Sequence, residues 1–179
     1  MKNYKILVLS DLKNSAENTL KNAISLSKMI GGAIDFFHVK KPTDVVEKEN
    51  QLSAMRSIND DYTSTRKKIQ KLLESISHDY NTNINSSFSF GNVKDEISKY
   101  IEENKPDIIV LGKRKVAPFQ LIGDSITQFV LEKHHGVIMI ASDDNVLEPN
   151  HELSLGVIDG VEKLFNIEFV NDLISHTQK

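Results

Sequence analysis

The stretch that decides the fold runs Asp107-Ile-Ile-Val-Leu-Gly112, then Lys113-Arg-Lys-Val-Ala-Pro-Phe-Gln-Leu-Ile122, then Gly123-Asp-Ser-Ile-Thr127. One amphipathic segment later it closes on His134-His-Gly-Val-Ile-Met-Ile-Ala141. Four consecutive aliphatic residues ending on a glycine read as a strand buried on both faces. A basic loop, a Gly-Asp-Ser helix entry and a second apolar run complete a strand, loop, helix, strand unit. Open α/β sheets build anion sites from such units, because loop backbone and helix N-terminus converge where the strand ends.

Outward from this unit the same alternation repeats. Residues 6–9 are a continuous apolar run stopped by Ser10-Asp11, as a doubly buried strand requires. Over residues 15–30, Ala16, Leu20, Ala23, Ile24, Leu26, Met29 and Ile30 recur at spacings of three and four, and Gly31-Gly32 supplies the stop. Residues 33–39 predict a second strand closed by Pro42. A long helix follows, with Ile58, Tyr62, Ile69, Leu72, Leu73, Ile76 and Tyr80 on one stripe. Residues 43–57 are polar, and the phase of Val45, Leu52 and Met55 leaves both an earlier helical turn and a loop open. Residues 84–90 predict a third strand. Gly91-Asn92 leads into a helix with Ile97, Tyr100 and Ile101, and Pro106 breaks it before the fourth strand. Strict alternation of five strands and four helices predicts an α/β fold with a doubly wound, open, parallel five-stranded sheet and right-handed crossovers.

Bulk properties exclude several classes. The chain has 179 residues, 39% hydrophobic and 26% charged, an ordinary composition for one domain with an appendage. A net charge of -3 argues against non-specific nucleic-acid binding. With no cysteine there is no disulfide and no thiolate metal site, and a cytoplasmic setting is expected. The first apolar run is too short to cross a membrane. His134 and His135 are adjacent on a helix end and do not converge on one metal, so a capping or surface role is expected. No Gly-x-Ser-x-Gly elbow, complete Walker loop, paired-histidine zinc motif or Gly-x-Gly-x-x-Gly appears, and no residue is assigned as catalytic.

The opening Tyr4-Lys-Ile-Leu-Val-Leu-Ser-Asp11, the pair His38-Val39, the junction at Gly91 and the unit from Asp107 through Gly123-Asp-Ser-Ile-Thr-Gln-Phe-Val-Leu131 resemble the universal stress protein A family. The resemblance covers about residues 3–141, so the family domain is expected over 1–141 and an extension over 142–179. It implies sheet order 3-2-1-4-5, the Rossmann-like arrangement of adenine nucleotide alpha hydrolases, and a stress-response or regulatory role. It also implies a homodimer through the last strand, which begins at Gly136 and ends at Ala141, with an unidentified protein partner. ATP or AMP is the cofactor that some members bind and others do not.

Nucleotide-binding members carry a glycine, two residues, a second glycine, nine residues, then glycine with serine or threonine. Here Gly112 takes the first place, Lys115 replaces the second glycine, and Asp124 with Ser125 fall one position early. Glycines let backbone take positive φ and approach phosphate. A carboxylate at Asp124 competes for the helix N-terminus. Weak or absent ATP binding is therefore expected, the alternative being a sensor in which Lys113, Arg114 and Lys115 replace backbone cradling. The candidate binding residues are Ser10, Asp11, Val39, Gly112, Lys113, Arg114, Lys115, Gly123, Asp124, Ser125 and Ile126. Each also has a plainer role: Asp11 as a turn carboxylate, Val39 as core, the basic run as solvated surface, and the Gly123 to Ile126 stretch as a helix entry.

In the extension, Leu153, Leu155, Val157 and Ile158 suggest a strand, and Asn166 a cap for a short helix with Ile167, Val170, Leu173 and Ile174. These residues are more apolar than a free linker needs. The segment is expected to pack on the domain or on a partner subunit, where it would cover a sheet edge or narrow the crevice. A purely structural interaction module acting through this tail is the third functional reading.

Overall fold

The computed structural model describes residues 3–13, 15–41, 51–113, 126–142, 146–148 and 167–175. The sheet holds β1 (Tyr4–Leu9), β2 (Gly32–Lys40), β3 (Ile84–Phe90), β4 (Ile108–Gly112) and β5 (Val137–Ala141). The helices are α1 (Ala16–Ile30), α2 (Gln51–Tyr80), α3 (Val93–Asn104), α4 (Ile126–Lys133) and α5 (Ile167–Ser175). Strand order is β3-β2-β1-β4-β5, every pair parallel. This is the expected order, with the reversal between β1 and β4 that opens a crevice at the carboxyl ends of the strands.

Burial explains the apolar runs. Ile6, Leu7, Val8, Ile108, Ile109 and Val110 are all essentially inaccessible because helices cover both faces of the central strands. On one face Ile6, Val8, Ile108 and Val110 meet α1 and the C-terminal half of α2 through Leu20, Ile24, Ile69, Leu73 and Ile76. On the other, Leu7, Leu9, Ile109 and Leu111 meet Ile97 of α3 and Val130 of α4. The Asn92 side chain caps α3 by accepting from the Lys94 N–H at 3.0 Å. Lys105 closes that helix with a left-handed φ of 47°, and Pro106 follows where the helix cannot continue.

Two expectations are corrected, and one left open is resolved. Helix α2 already includes Gln51 to Ser57, but Met55, Ile58 and Tyr62 are 64%, 43% and 46% exposed. Its N-terminal half is not covered as its C-terminal half is, so the stripe is buried only from Thr65 and Ile69 onward. His134, expected in a capping or surface role, is buried, and its Nε2 lies beside the Asp107 carbonyl where Gly136 leaves no room for a side chain. Burial holds its pKa below the ordinary histidine value.

Within the extension, α5 lies against α1's side of the sheet. Leu173 is buried and Phe169 packs on the same core cluster. The Tyr4 hydroxyl donates to Asp172 Oδ2 at 2.8 Å, and the Tyr4 and Phe169 rings meet edge-on at 6.2 Å. Burial and the Asp172 carboxylate push the Tyr4 phenol up to about 12. Farther back, the Leu147 N–H donates to Asn22 Oδ1 at 2.8 Å. Tyr4 begins β1, so α5 sits at the end of the sheet away from the crevice and does not narrow it. The strand expected over residues 153–158 lies outside the described residues.

Candidate functional site

The β1 to α1 loop is built by its own side chains. Ser10 Oγ accepts from the Leu12 N–H at 3.2 Å and Asp11 Oδ1 from the Lys13 N–H at 3.1 Å, the local bonds that Ser and Asp make in turns. They hold Leu12 at φ 57°, a conformation costing a non-glycine residue about 1–2 kcal/mol. Leu12 packs against the core cluster beside α1. The turn roles of Ser10 and Asp11 are thus present, and they aim the loop across the strand ends.

A cavity of about 460 Å³ opens there, and Ser10, Asp11, Val39, Gly112 and Ile126 all line it. Residues far apart in sequence are brought together because β1, β2 and β4 end side by side. Lys113 follows Gly112 directly and donates its backbone N–H to the Ala141 carbonyl at 2.8 Å, but it is not in the lining. Arg114, Lys115, Gly123, Asp124 and Ser125 lie outside the described residues.

Gly112 is a glycine for a reason other than positive φ, which among described glycines belongs to Gly31. A Cβ at Gly112 would stand 2.5 Å from Thr19 Oγ1 and 3.2 Å from Ser15 Oγ. The first turn of α1 therefore packs directly on the end of β4.

His38 forms part of the wall. The Ser10 carbonyl can only accept, so the 2.8 Å contact requires that His38 Nδ1–H donates to it. Burial holds the ring's pKa below its ordinary value, leaving a neutral imidazole with Nε2 as an acceptor at pH 7. Beneath it Phe37 stacks on Tyr100 at 4.3 Å between centroids.

Sequence reasoning missed the rest of the lining. Thr65 and Lys68 come from α2, and Lys40 and Lys41 from the end of β2. Lys40 Nζ pairs with Asp61 Oδ1 at 3.1 Å, which ties that end to α2. The nearest signal was the position of Lys40 and Lys41 directly after Val39. Among the described residues no group of three His, Cys, Asp or Glu side chains is arranged to hold a metal.

Such a fold, with its ligand-sized mouth at the topological switch point, defines an α/β crevice protein. Residues 2–140 match the Universal stress protein family, and the chain belongs to that family. Among solved structures it is similar to universal stress protein UspA from Lactobacillus plantarum, at 16% identity and TM-score 0.62 over 79% of this chain and 99% of that one. It is also similar to the Archaeoglobus fulgidus universal stress protein in complex with dAMP, at 18% identity and TM-score 0.53 over 79% and 99%. A third is a universal stress protein in complex with cAMP, at 15% identity and TM-score 0.54 over 79% and 98%. At these identities the likeness is one of fold. No curated protein matches the chain in sequence. Among the described residues no helix is long and apolar enough to cross a membrane.

Proposed function

We propose that this chain is a regulatory or stress-response module that takes the nucleoside end of an adenine nucleotide between Asp11 and Val39 and draws little affinity from the triphosphate. The observation that carries the reading is the 460 Å³ cavity lined by both residues and by Gly112, a volume within the range of small-molecule sites. Asp11 suits a ribose hydroxyl, and the backbone at Val39 suits an adenine edge. Structures of similar fold hold dAMP and cAMP, which supports the adenine assignment. Lys115 and Asp124, where nucleotide-binding members carry glycine, account for the weak grip on the phosphate chain, each non-glycine substitution there costing about tenfold.

The module works as a homodimer joined through β5, in this reading. That strand pairs only with β4 among the described residues and leaves Ile140 half exposed at the sheet edge. Calorimetric titration tests the nucleotide assignment. AMP and ATP are expected to bind with similar affinities, weaker than ~10 µM. Much tighter ATP binding would favour the sensor with a basic loop, and no binding of either at millimolar concentration would remove the nucleotide reading.

A further inference from the structure

The crevice has two cationic ends. One lies just beyond the lining, at the exit of β4, where Lys113 follows Gly112. The other is at the β2 and α2 wall, where Lys40, Lys41 and Lys68 gather. β2 and β4 flank β1, so the two ends are about two strand spacings apart, about 10 Å. In the reading above, with the base at Val39 of β2 and the ribose at Asp11 after β1, the phosphate chain would continue toward β4 and the second end has no assigned ligand group.

Several observations mark that second end as more than a solvated charge run. Asp61, Thr65 and Lys68 stand at positions i, i+4 and i+7 of α2 and share one helix face. The Lys40 to Asp61 pair fixes that face against the end of β2. Thr65 is 4% exposed yet lines the cavity, and its hydroxyl has no hydrogen-bond partner among the described residues. Among the described residues the one sealed, unpaired side-chain polar atom is His134 Nε2, so the Thr65 hydroxyl opens to the cavity and can donate to a ligand oxygen that enters it. Asp61 balances Lys40, whereas Lys41 and Lys68 have no carboxylate partner among the described residues. Among the described residues the sole carboxylate of the lining, Asp11, lies 4.0 Å from Lys13 on the β1 loop.

We propose that the crevice takes a nucleotide carrying a second phosphate on its ribose, held by Lys68, Lys41 and the Thr65 hydroxyl at the β2 and α2 wall. This rests on the adenine nucleotide reading above and names the chemistry that restores the affinity missing at the β4 loop. A phosphate there gains charge-assisted hydrogen bonds from two ammonium groups and accepts the Thr65 O–H. Lys40 keeps α2 in place rather than contributing to the ligand.

Calorimetric titrations of the full chain with AMP, adenosine 3′,5′-bisphosphate and adenosine 2′,5′-bisphosphate test it, each at low and high salt. At least one bisphosphate is expected to bind roughly tenfold tighter than AMP at low salt, with the advantage shrinking as salt is raised. Lys68→Gln should bring the ratio of the two affinities near one, and Thr65→Val should reduce it by severalfold. Bisphosphates that bind no tighter than AMP overturn the second anion site and leave the nucleotide reading standing. An advantage that survives both substitutions overturns the location. Failure of AMP and both bisphosphates to bind overturns the site together with the reading it rests on.

Discussion

Substituting Gly112→Ala separates packing from ligand contact at the end of β4. The new Cβ would lie 2.5 Å from Thr19 Oγ1, and ordinary contact begins at about 3.4 Å, so one partner must move by nearly 1 Å. Thr19 is poorly placed to yield. It is 2% exposed, and its hydroxyl donates to the Ser15 carbonyl at 2.8 Å. Overpacking of this kind costs about 1–3 kcal/mol, and turning the hydroxyl away forfeits about 1 kcal/mol more. The lower backbone entropy of alanine in the unfolded chain returns ~0.5–1 kcal/mol. The expected net loss is about 1–3.5 kcal/mol, a fall in Tm of roughly 2–14 °C for a domain of this size.

Urea unfolding of the wild type, Gly112→Ala, Thr19→Ala and the double variant measures it. Removing the Thr19 side chain makes room, so the double variant should be more stable than the sum of the singles by at least ~1 kcal/mol. Additive effects, or a Gly112→Ala protein within ~0.5 kcal/mol of wild type, would refute the packing argument. They would return Gly112 to a role in approaching phosphate alone.

Leu173→Ala should loosen α5 before the sheet. Burying that leucine is worth ~1.5–3 kcal/mol, but the loss is capped by the free energy of docking one helix, so hydrogen exchange should quicken in α5 and leave β1 and β4 protected; uniform quickening would contradict this. The depressed pKa values of His38 and His134 mean that their neutral forms are favoured on folding. Their contribution is present above the unfolded value of about 6.5 and is lost as pH falls through the folded values, so His134→Gln should flatten the decline of Tm below pH 6.5, and an unchanged slope would remove His134 from the account. Ile140→Lys places a charge on a half-exposed edge position of β5 and should yield a folded monomer by light scattering if β5 joins the dimer; an unchanged dimer would move the interface elsewhere.

The legible part of the fold was the part dictated by burial on two faces. Runs such as residues 6–9 and 108–111 are apolar without alternation because helices cover both sides of β1 and β4, and that pattern survives in one dimension. Ser10, Asp11, Val39 and Gly112 were legible for a related reason: each closes or follows a strand whose end the pattern locates. Thr65 and Lys68 were not. Periodicity assigns residues to a helix face, but it does not say which turn of the long α2 passes over the crevice. That depends on the length of α2 and on the Lys40 to Asp61 contact, both set by tertiary structure. His134 was misjudged because a position at a helix end usually meets solvent, whereas here the chain turns at once into β5 and folds the ring against Asp107. The exposure of Ile58 had no local signal, since an apolar stripe reads the same along its whole length, while Tyr62, though half exposed, still lays its ring on Phe88 and Phe90 of β3.

The strand β1 touches α5 through Tyr4 at its beginning and lines the crevice through Leu9 at its end. A six-residue strand spans roughly 20 Å, and its rigid central position lets the two ends be engineered or diversified separately. A fluorophore or affinity handle grafted onto the solvent side of α5, at Glu168 or Asn171, would report on the molecule without standing in the path of a ligand.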